Sequence, residues 1–348
     1  MNLKLKCLPY GSLPYKDEAL VTRMMVRLFE KSPYLPFFPL LSEDENILKR
    51  TIDKLPGLAF DANRIVLNIV SPFFPADAEE MDNVYNNPSD ENLELYSTES
   101  FFSEKFFKMI DRVHPAEAVI HFLGPFSLSR MIINREDNPL LLDKLYRKYL
   151  IQAITIKALW FIRKVKKISP DTTPIVIFEE PKLNEFGVLT KSYPEITKKI
   201  VVGIFSKIFQ TLKAEGAAVG VQSFTKCDWQ IPIESGADII SFNAYTNPSN
   251  LCIIADKITK FLENGGYINW GIVPVMTESM VKSLTVDSIS KRFAKTVQGL
   301  IDEGVKRELI YSRSMVSVQG ELDNLPLIFA EKALMTVTQL SERVFKQK

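Results

Sequence analysis

The 348-residue chain is 46% hydrophobic and 24% charged, a globular composition able to bury a large core without disulfides or metals. Its 43 basic and 42 acidic residues leave a net charge of +1, which supplies no field for nucleic acid or an anionic membrane. Cys7, Cys227 and Cys252 form no CxxC pair, which excludes a disulfide scaffold. The N-terminal MNLKLKCLPYG carries no signal-length apolar stretch, and no run of ~18 apolar residues suggests a membrane span. A cytoplasmic protein is the expectation.

In chain order, short β-branched and aromatic runs alternate with amphipathic stretches. The predicted strands are Leu3–Leu8, Ile65–Val70, Ala118–Leu123, Pro174–Glu179, Ala217–Gln222, Asp238–Asn243, Tyr267–Ile272 and Glu308–Ser314. Several are continuous apolar runs, as parallel strands covered on both faces require, Ile175-Val176-Ile177-Phe178 most clearly. Leu20, Met24, Met25, Leu28 and Phe29 recur at helical spacing, and longer helices are predicted over Leu141–Ile168, Ile196–Leu212, Ser288–Glu303 and Leu327–Phe345. The cluster Arg163-Lys164-Val165-Lys166-Lys167 closes one of these, where it complements the helix dipole, with nucleic-acid binding as the competing reading. Ser71 to Ser100, polar and acidic, is expected as an elaborated surface loop with a short helix after strand two, or a lid. Eight strand–helix alternations without an internal break predict one α/β domain over residues 1–348, a closed (β/α)8 TIM barrel.

A series of short motifs runs along nearly the whole chain. It comprises Gly11-Ser12-Leu13-Pro14, Leu35-Pro36-Phe37-Phe38-Pro39, Leu55-Pro56-Gly57-Leu58, Gly124-Pro125-Phe126-Ser127-Leu128, Phe178-Glu179-Glu180-Pro181, Asp228-Trp229, Asp238-Ile239-Ile240-Ser241-Phe242, Gly265-Gly266 and Trp270-Gly271-Ile272-Val273-Pro274. In this order the series resembles the catalytic domain of cobalamin-independent methionine synthase, within the superfamily that also holds uroporphyrinogen decarboxylases. The decarboxylases' arginine-rich N-terminal signature is absent.

That family, as the resemblance implies, uses zinc to hold a thiol as thiolate. Its His-x-Cys positions correspond to Gln222 and Phe224, its strand-six carboxylate to Asn243, and the strand-eight region Arg313 to Gly320 has no cysteine. With only His114 and His121 in the chain, no zinc site of soft ligands is expected. The resemblance implies Ser12 at the place of a ligand carboxylate and Glu179 at the place of a ligand amino group. From the residues themselves, Glu179 and Glu180 end a buried strand and point to opposite faces, so one faces the barrel mouth. Glu179 and His121 are the candidate catalytic groups, His121 being alternatively a satisfied core histidine. Ser12, Gln222, Asn243, Tyr245, Trp229 and Arg313 are the candidate binding residues, with Tyr311 beside Arg313 on the last strand. Trp270 reads as structural.

Three functions are weighed. The first is a zinc-lacking, methyltransferase-like enzyme acting on an amino-acid-like small molecule, with folate or corrinoid as methyl donor and a corrinoid protein as partner. The second is a binding or regulatory paralogue that kept the barrel, and the third a metal-free decarboxylase-like enzyme. An open polar mouth favours an enzyme, and a mouth filled by Phe224 and its aromatic neighbours favours repurposing.

Overall fold

The computed structural model describes residues 3–8, 10–17, 19–20, 23–24, 33–42, 45, 47–61, 64–68, 70–97, 101–134 and 139–345. Strands β1 (Tyr34–Leu35), β4 (Glu117–Leu123), β6 (Thr173–Glu179), β7 (Ala218–Ser223), β8 (Ile239–Phe242), β9 (Tyr267–Val273) and β10 (Ser314–Val318) form a seven-stranded parallel sheet in that order. A smaller sheet holds β2 (Leu58–Asp61), β3 (Arg64–Leu67) and β5 (Ile132–Asn134), with β2–β3 antiparallel and β3–β5 parallel.

Every strand of the large sheet is joined to the next through a helical segment, as parallel pairing requires. Three of the long helices start where a short polar side chain takes an otherwise orphaned amide. Asp143 accepts from Leu145 N and Tyr146 N at the head of Lys144–Ile168, and Thr197 and Thr285 do the same for Lys198–Ala214 and Val286–Asp302. Alternate residues of each strand then face opposite layers. Phe178 stacks on Phe209 at 5.6 Å and Trp270 meets Phe293 edge-on at 5.7 Å, both on the helical side. The opposite face carries Glu179 and its register partner Gln222. There a hydrogen-bonded polar row crosses four strands through Gln222, Ser241, Asn269 and Ser317.

The N-terminal segment touches both edges of the large sheet. Cys7 bridges Val316 of β10 in parallel, with Leu8 N donating to Val316 O at 3.1 Å and Val316 N to Lys6 O at 3.0 Å. Ser12 bridges Phe37 just beyond β1, and Leu13 N donates to Phe37 O at 2.8 Å.

Several expectations are corrected. Ile65–Val70 supplies β3 of the small sheet, and the place beside β4 belongs to Tyr34–Leu35, whose flanking prolines hold it to two residues. Glu308–Ser314 is not a strand. Arg307–Ser312 is helical, and β10 lies later in Ser-Met-Val-Ser-Val, whose alternation puts Val316 and Val318 on one face and Ser317 on the other. Leu3–Leu8 forms one bridge instead of a regular strand. Ser71 to Ser97 is largely helical, with Phe74–Asn86 and Asp90–Glu94 packed on the long helix Lys144–Ile168; Asp82 accepts from Lys148 at 2.6 Å and Gln152 at 2.8 Å. Of the predicted first helix, Leu20 and Met24 are helical, while Met25, Leu28 and Phe29 lie outside the described residues.

Candidate active site at the C-terminal ends of the strands

The end of β6 sends its two carboxylates to different environments, because neighbouring strand residues project to opposite faces. Glu180 is fully buried and caps the helix Pro125–Met131, accepting from Phe126 N at 2.9 Å, Ser127 N at 2.7 Å and Ser127 Oγ at 2.6 Å. Burial pushes its carboxyl up to about 7 against the pull of Ser127 and the two amides. Gly124 is a glycine because a β-carbon there would stand 2.1 Å from Glu180 Oε1. The variant Gly124→Ala must displace a carboxylate already fixed by three donors. It is expected to lower stability by about 1–3 kcal/mol, read as a shift of the urea midpoint; an unchanged midpoint would show that Glu180 has room to move.

Glu179 faces the other way, into a cluster of buried polar and aromatic groups. Its Oε1 lies 3.0 Å from His121 Nδ1. Its Oε2 lies 3.4 Å from the Tyr10 hydroxyl, which donates at 2.6 Å to Oε1 of a second carboxylate, Glu321. The other oxygen of Glu321, Oε2, accepts from Ser12 N at 2.7 Å and Ser12 Oγ at 2.6 Å. Tyr10 is wedged edge-on between His121, 5.4 Å away, and the half-buried Phe224, 4.7 Å away. Behind the cluster Arg50 is buried, donating to Leu35 O and Pro36 O at 3.0 and 2.8 Å and lying 3.8 Å from the centre of the Phe37 ring. Burial pulls its guanidinium down to about 10, against the charges of Glu45 and Glu179.

The electrostatics separate the two carboxylates. Burial pushes Glu179 up to about 8, opposed by the Tyr10 hydrogen bond and the Arg50 charge. Glu321 is also raised, first by desolvation and then by the Glu179 charge. Yet the residue as a whole is exposed, which weakens the first cause, and all three of its donors favour the anion. Burial thus favours the protonated form of Glu179, while the three donors on Glu321 favour its anion. The Tyr10 hydroxyl is the donor to both carboxylates, at 2.6 Å to Glu321 and at 3.4 Å to Glu179.

The sequence candidates are only partly brought together. Glu179, His121, Gln222 and Ser12 gather with Tyr10 and Glu321, but the Ser12 donors serve the chain's own Glu321 rather than a ligand. Asn243 follows β8, and its Oδ1 accepts from Thr246 N at 2.9 Å, shaping the next turn. Tyr245 turns to the outer layer, where Arg292 stacks over its ring at 3.9 Å. Trp229 is buried on the helical side against Phe242, which removes it from the mouth. Arg313 precedes β10, so it sits at the opposite end of the sheet, donating to the Tyr267 hydroxyl at 2.7 Å; Tyr311 belongs to the helix before it. Tyr10, Arg50 and Glu321 are absent from the sequence reading. Glu321 was hidden because the last strand was ended four residues early, at Ser314 instead of Val318, which put residue 321 well beyond its end.

Among the described residues no group of three or more His, Cys, Asp or Glu side chains could hold a metal ion, and no helix is long and apolar enough to cross a membrane.

No family model matches the chain, and no curated protein matches it. Among solved structures it is similar to a native Bacteroidetes-affiliated GH5 cellulase linked with a polysaccharide utilization locus, at 9% identity and TM-score 0.43 over 96% of this chain and 98% of that one. It is also similar to a GH5-4 broad specificity endoglucanase from Bacteroides salanitronis, at 10% identity and TM-score 0.39 over 70% and 77%, and to a putative alpha-L-fucosidase from Bacteroides thetaiotaomicron, at 9% and 0.29 over 75% and 88%. These neighbours are glycoside hydrolases, and they overturn the resemblance to cobalamin-independent methionine synthase. The motifs behind it are turn glycines, prolines and buried strand residues, each of which a parallel α/β sheet can carry for packing alone. With the resemblance go the methyltransferase-like activity, the folate or corrinoid donor, and the regulatory and decarboxylase-like alternatives that were built on it.

Proposed function

We propose that the protein is a glycoside hydrolase acting with retention of configuration, Glu179 being its general acid and Glu321 its nucleophile. The observation that carries this is the Tyr10 hydroxyl, which touches both carboxylates, so their nearest oxygens lie within about 6 Å of each other. Retaining glycosidases hold their two carboxyl groups ~5–5.5 Å apart, whereas inverting ones leave ~6.5–9.5 Å for a water.

The residues divide the chemistry by protonation state. Glu179 gives its proton to the glycosidic oxygen as the bond from that oxygen to the anomeric carbon breaks. A Glu321 oxygen closes on the same carbon from the other face, forming a glycosyl ester. Water then attacks the anomeric carbon, Glu179 takes its proton, and Glu321 leaves as the carboxylate. Among the described residues Glu321 Oε1 accepts from Tyr10 alone, which leaves a second lone pair for the attack. The closed eight-position barrel, with residues 3–8 in the first position, and a single domain over residues 1–348 belong to the same reading. The bridges from Cys7 to Val316 and from Ser12 to Phe37 support them.

The test is a panel of 4-nitrophenyl α- and β-glycosides of D-glucose, D-galactose, D-mannose, D-xylose and L-fucose. The expected result is nitrophenolate release from at least one of them, with the first-formed sugar keeping the substrate's anomeric configuration by NMR. Silence across the whole panel, or an inverted first product, overturns the reading.

A further inference from the structure

Beside Glu179 on the same face, as its register partner on the neighbouring strand, stands Gln222, 2% exposed. Its Oε1 accepts from Ser241 Oγ at 3.1 Å, while its Nε2 is buried with no hydrogen-bond partner among the described residues. The direction of this amide is fixed from below. Asn269 Nδ2 donates to Ser241 Oγ at 2.7 Å and to Ser317 Oγ at 2.8 Å. Ser317 sends its own proton to the Val318 carbonyl at 3.0 Å. Ser241 Oγ, accepting from Asn269, places its own proton on Gln222, where only the carbonyl end of the amide can receive it. The NH2 end is the one left unpartnered, on a side chain whose register partner is Glu179. A buried, oriented donor without an acceptor is costly unless a ligand supplies one.

We infer that Gln222 is a specificity-determining donor to an uncharged oxygen, a hydroxyl of a sugar ring, and that Ser241, Asn269 and Ser317 are positioning residues that hold its amide in that sense. No cationic side chain belongs to this row, so a neutral polyol suits it better than a carboxylate or phosphate. The choice of a sugar rests on the hydrolase reading; the oriented donor does not.

The test uses the full chain and calorimetric binding of D-glucose, D-galactose, D-mannose and D-xylose, followed by the monodeoxy series of the tightest binder. The wild type is expected to bind at least one sugar and to lose on the order of 10-fold in affinity for the one deoxy sugar that lacks the accepting hydroxyl. In Gln222→Leu the parent sugar weakens to the level of that deoxy sugar, so the preference between the two disappears. Ser241→Ala, which releases the amide orientation without approaching the ligand, narrows the same preference several-fold. A disturbance of folding alone would weaken all the deoxy sugars together and leave the preference intact, and that result overturns the inference. So does an undiminished preference in Gln222→Leu, or the absence of any sugar binding. Sugar binding that depends on Gln222 without glycoside cleavage would leave the inference standing and remove the hydrolase reading. Cleavage with a preference indifferent to Gln222 would do the reverse.

Discussion

In Glu321→Gly, turnover of the best nitrophenyl glycoside is expected to fall on the order of 10³-fold, and sodium azide to restore part of it as a glycosyl azide of inverted configuration. The carboxylate that forms the covalent bond is gone, and a small anion can occupy its place at the anomeric carbon. Glu179→Ala should behave differently. A general acid contributes ~10²–10⁴-fold where the leaving group needs a proton. In kcat/KM, which reports the step that breaks the glycosidic bond, loss should therefore be severe for an alkyl glycoside and slight for a 2,4-dinitrophenyl one, whose phenolate departs unaided. Tyr10→Phe keeps the edge-on ring contacts with His121 and Phe224 but removes the hydroxyl between the carboxylates, and should cost less than either. The assignment fails if Glu179→Ala impairs both leaving groups equally, or if azide yields no glycosyl azide with Glu321→Gly.

Stability toward urea should decrease as the pH is raised from about 4.5 to about 8. Glu179 is held up to about 8 and Glu180 to about 7, both by burial. In the unfolded chain a glutamate titrates near 4.3. Between these values the fold keeps protons that the unfolded chain releases, so each step up in pH favours unfolding. The contribution is complete below the unfolded value and gone above the folded one, amounting to a few kcal/mol on the order-of-magnitude scale. Glu180→Gln should flatten the slope up to about 7, and Glu179→Gln should also remove the part between 7 and 8. Asp82, Glu185 and Glu234 are paired with Lys or Arg and lowered on net despite their partial burial, so they act in the opposite direction at the acid end. Urea midpoints that are equal at pH 5.5 and 8.5, or higher at 8.5, would contradict the protonated state assigned to Glu179.

Central strands were legible because burial on both faces leaves an unmistakable run. Ile175-Val176-Ile177-Phe178 marked β6, and β4, β7, β8 and β9 fell within a residue of their expected bounds. The edges of the sheet were not, since a strand paired for two residues, such as Tyr34–Leu35, has no periodicity to read. Leu35 and the prolines after it were read only as part of the motif series. Ile65–Val70 had the right composition but joined another sheet, a tertiary choice that composition does not encode. At the site, Glu179 and Glu180 were separable in kind from strand alternation alone, though which one faced which layer depended on Ser127 and Tyr10. Glu321 depended on the exact end of β10, and Tyr10 on a turn whose only sequence marks are Gly11 and Ser12. Motif order, in contrast, reported turns and packing, and for that reason misled about chemistry.

The clasp between Ser12 and Glu321 joins residues 309 positions apart. Closing so long a loop costs entropy before any reward arrives, so this contact forms late, after the intervening strands have paired. During synthesis the turn at Ser12 emerges first and must wait for 309 further residues before its partner exists. A half-made polypeptide therefore has Glu179 but no second carboxylate beside it. On the hydrolase reading, competence to act on a ligand belongs to the joined pair, and removing Ser12 with the residues before it, or Glu321 with those after it, is expected to abolish activity.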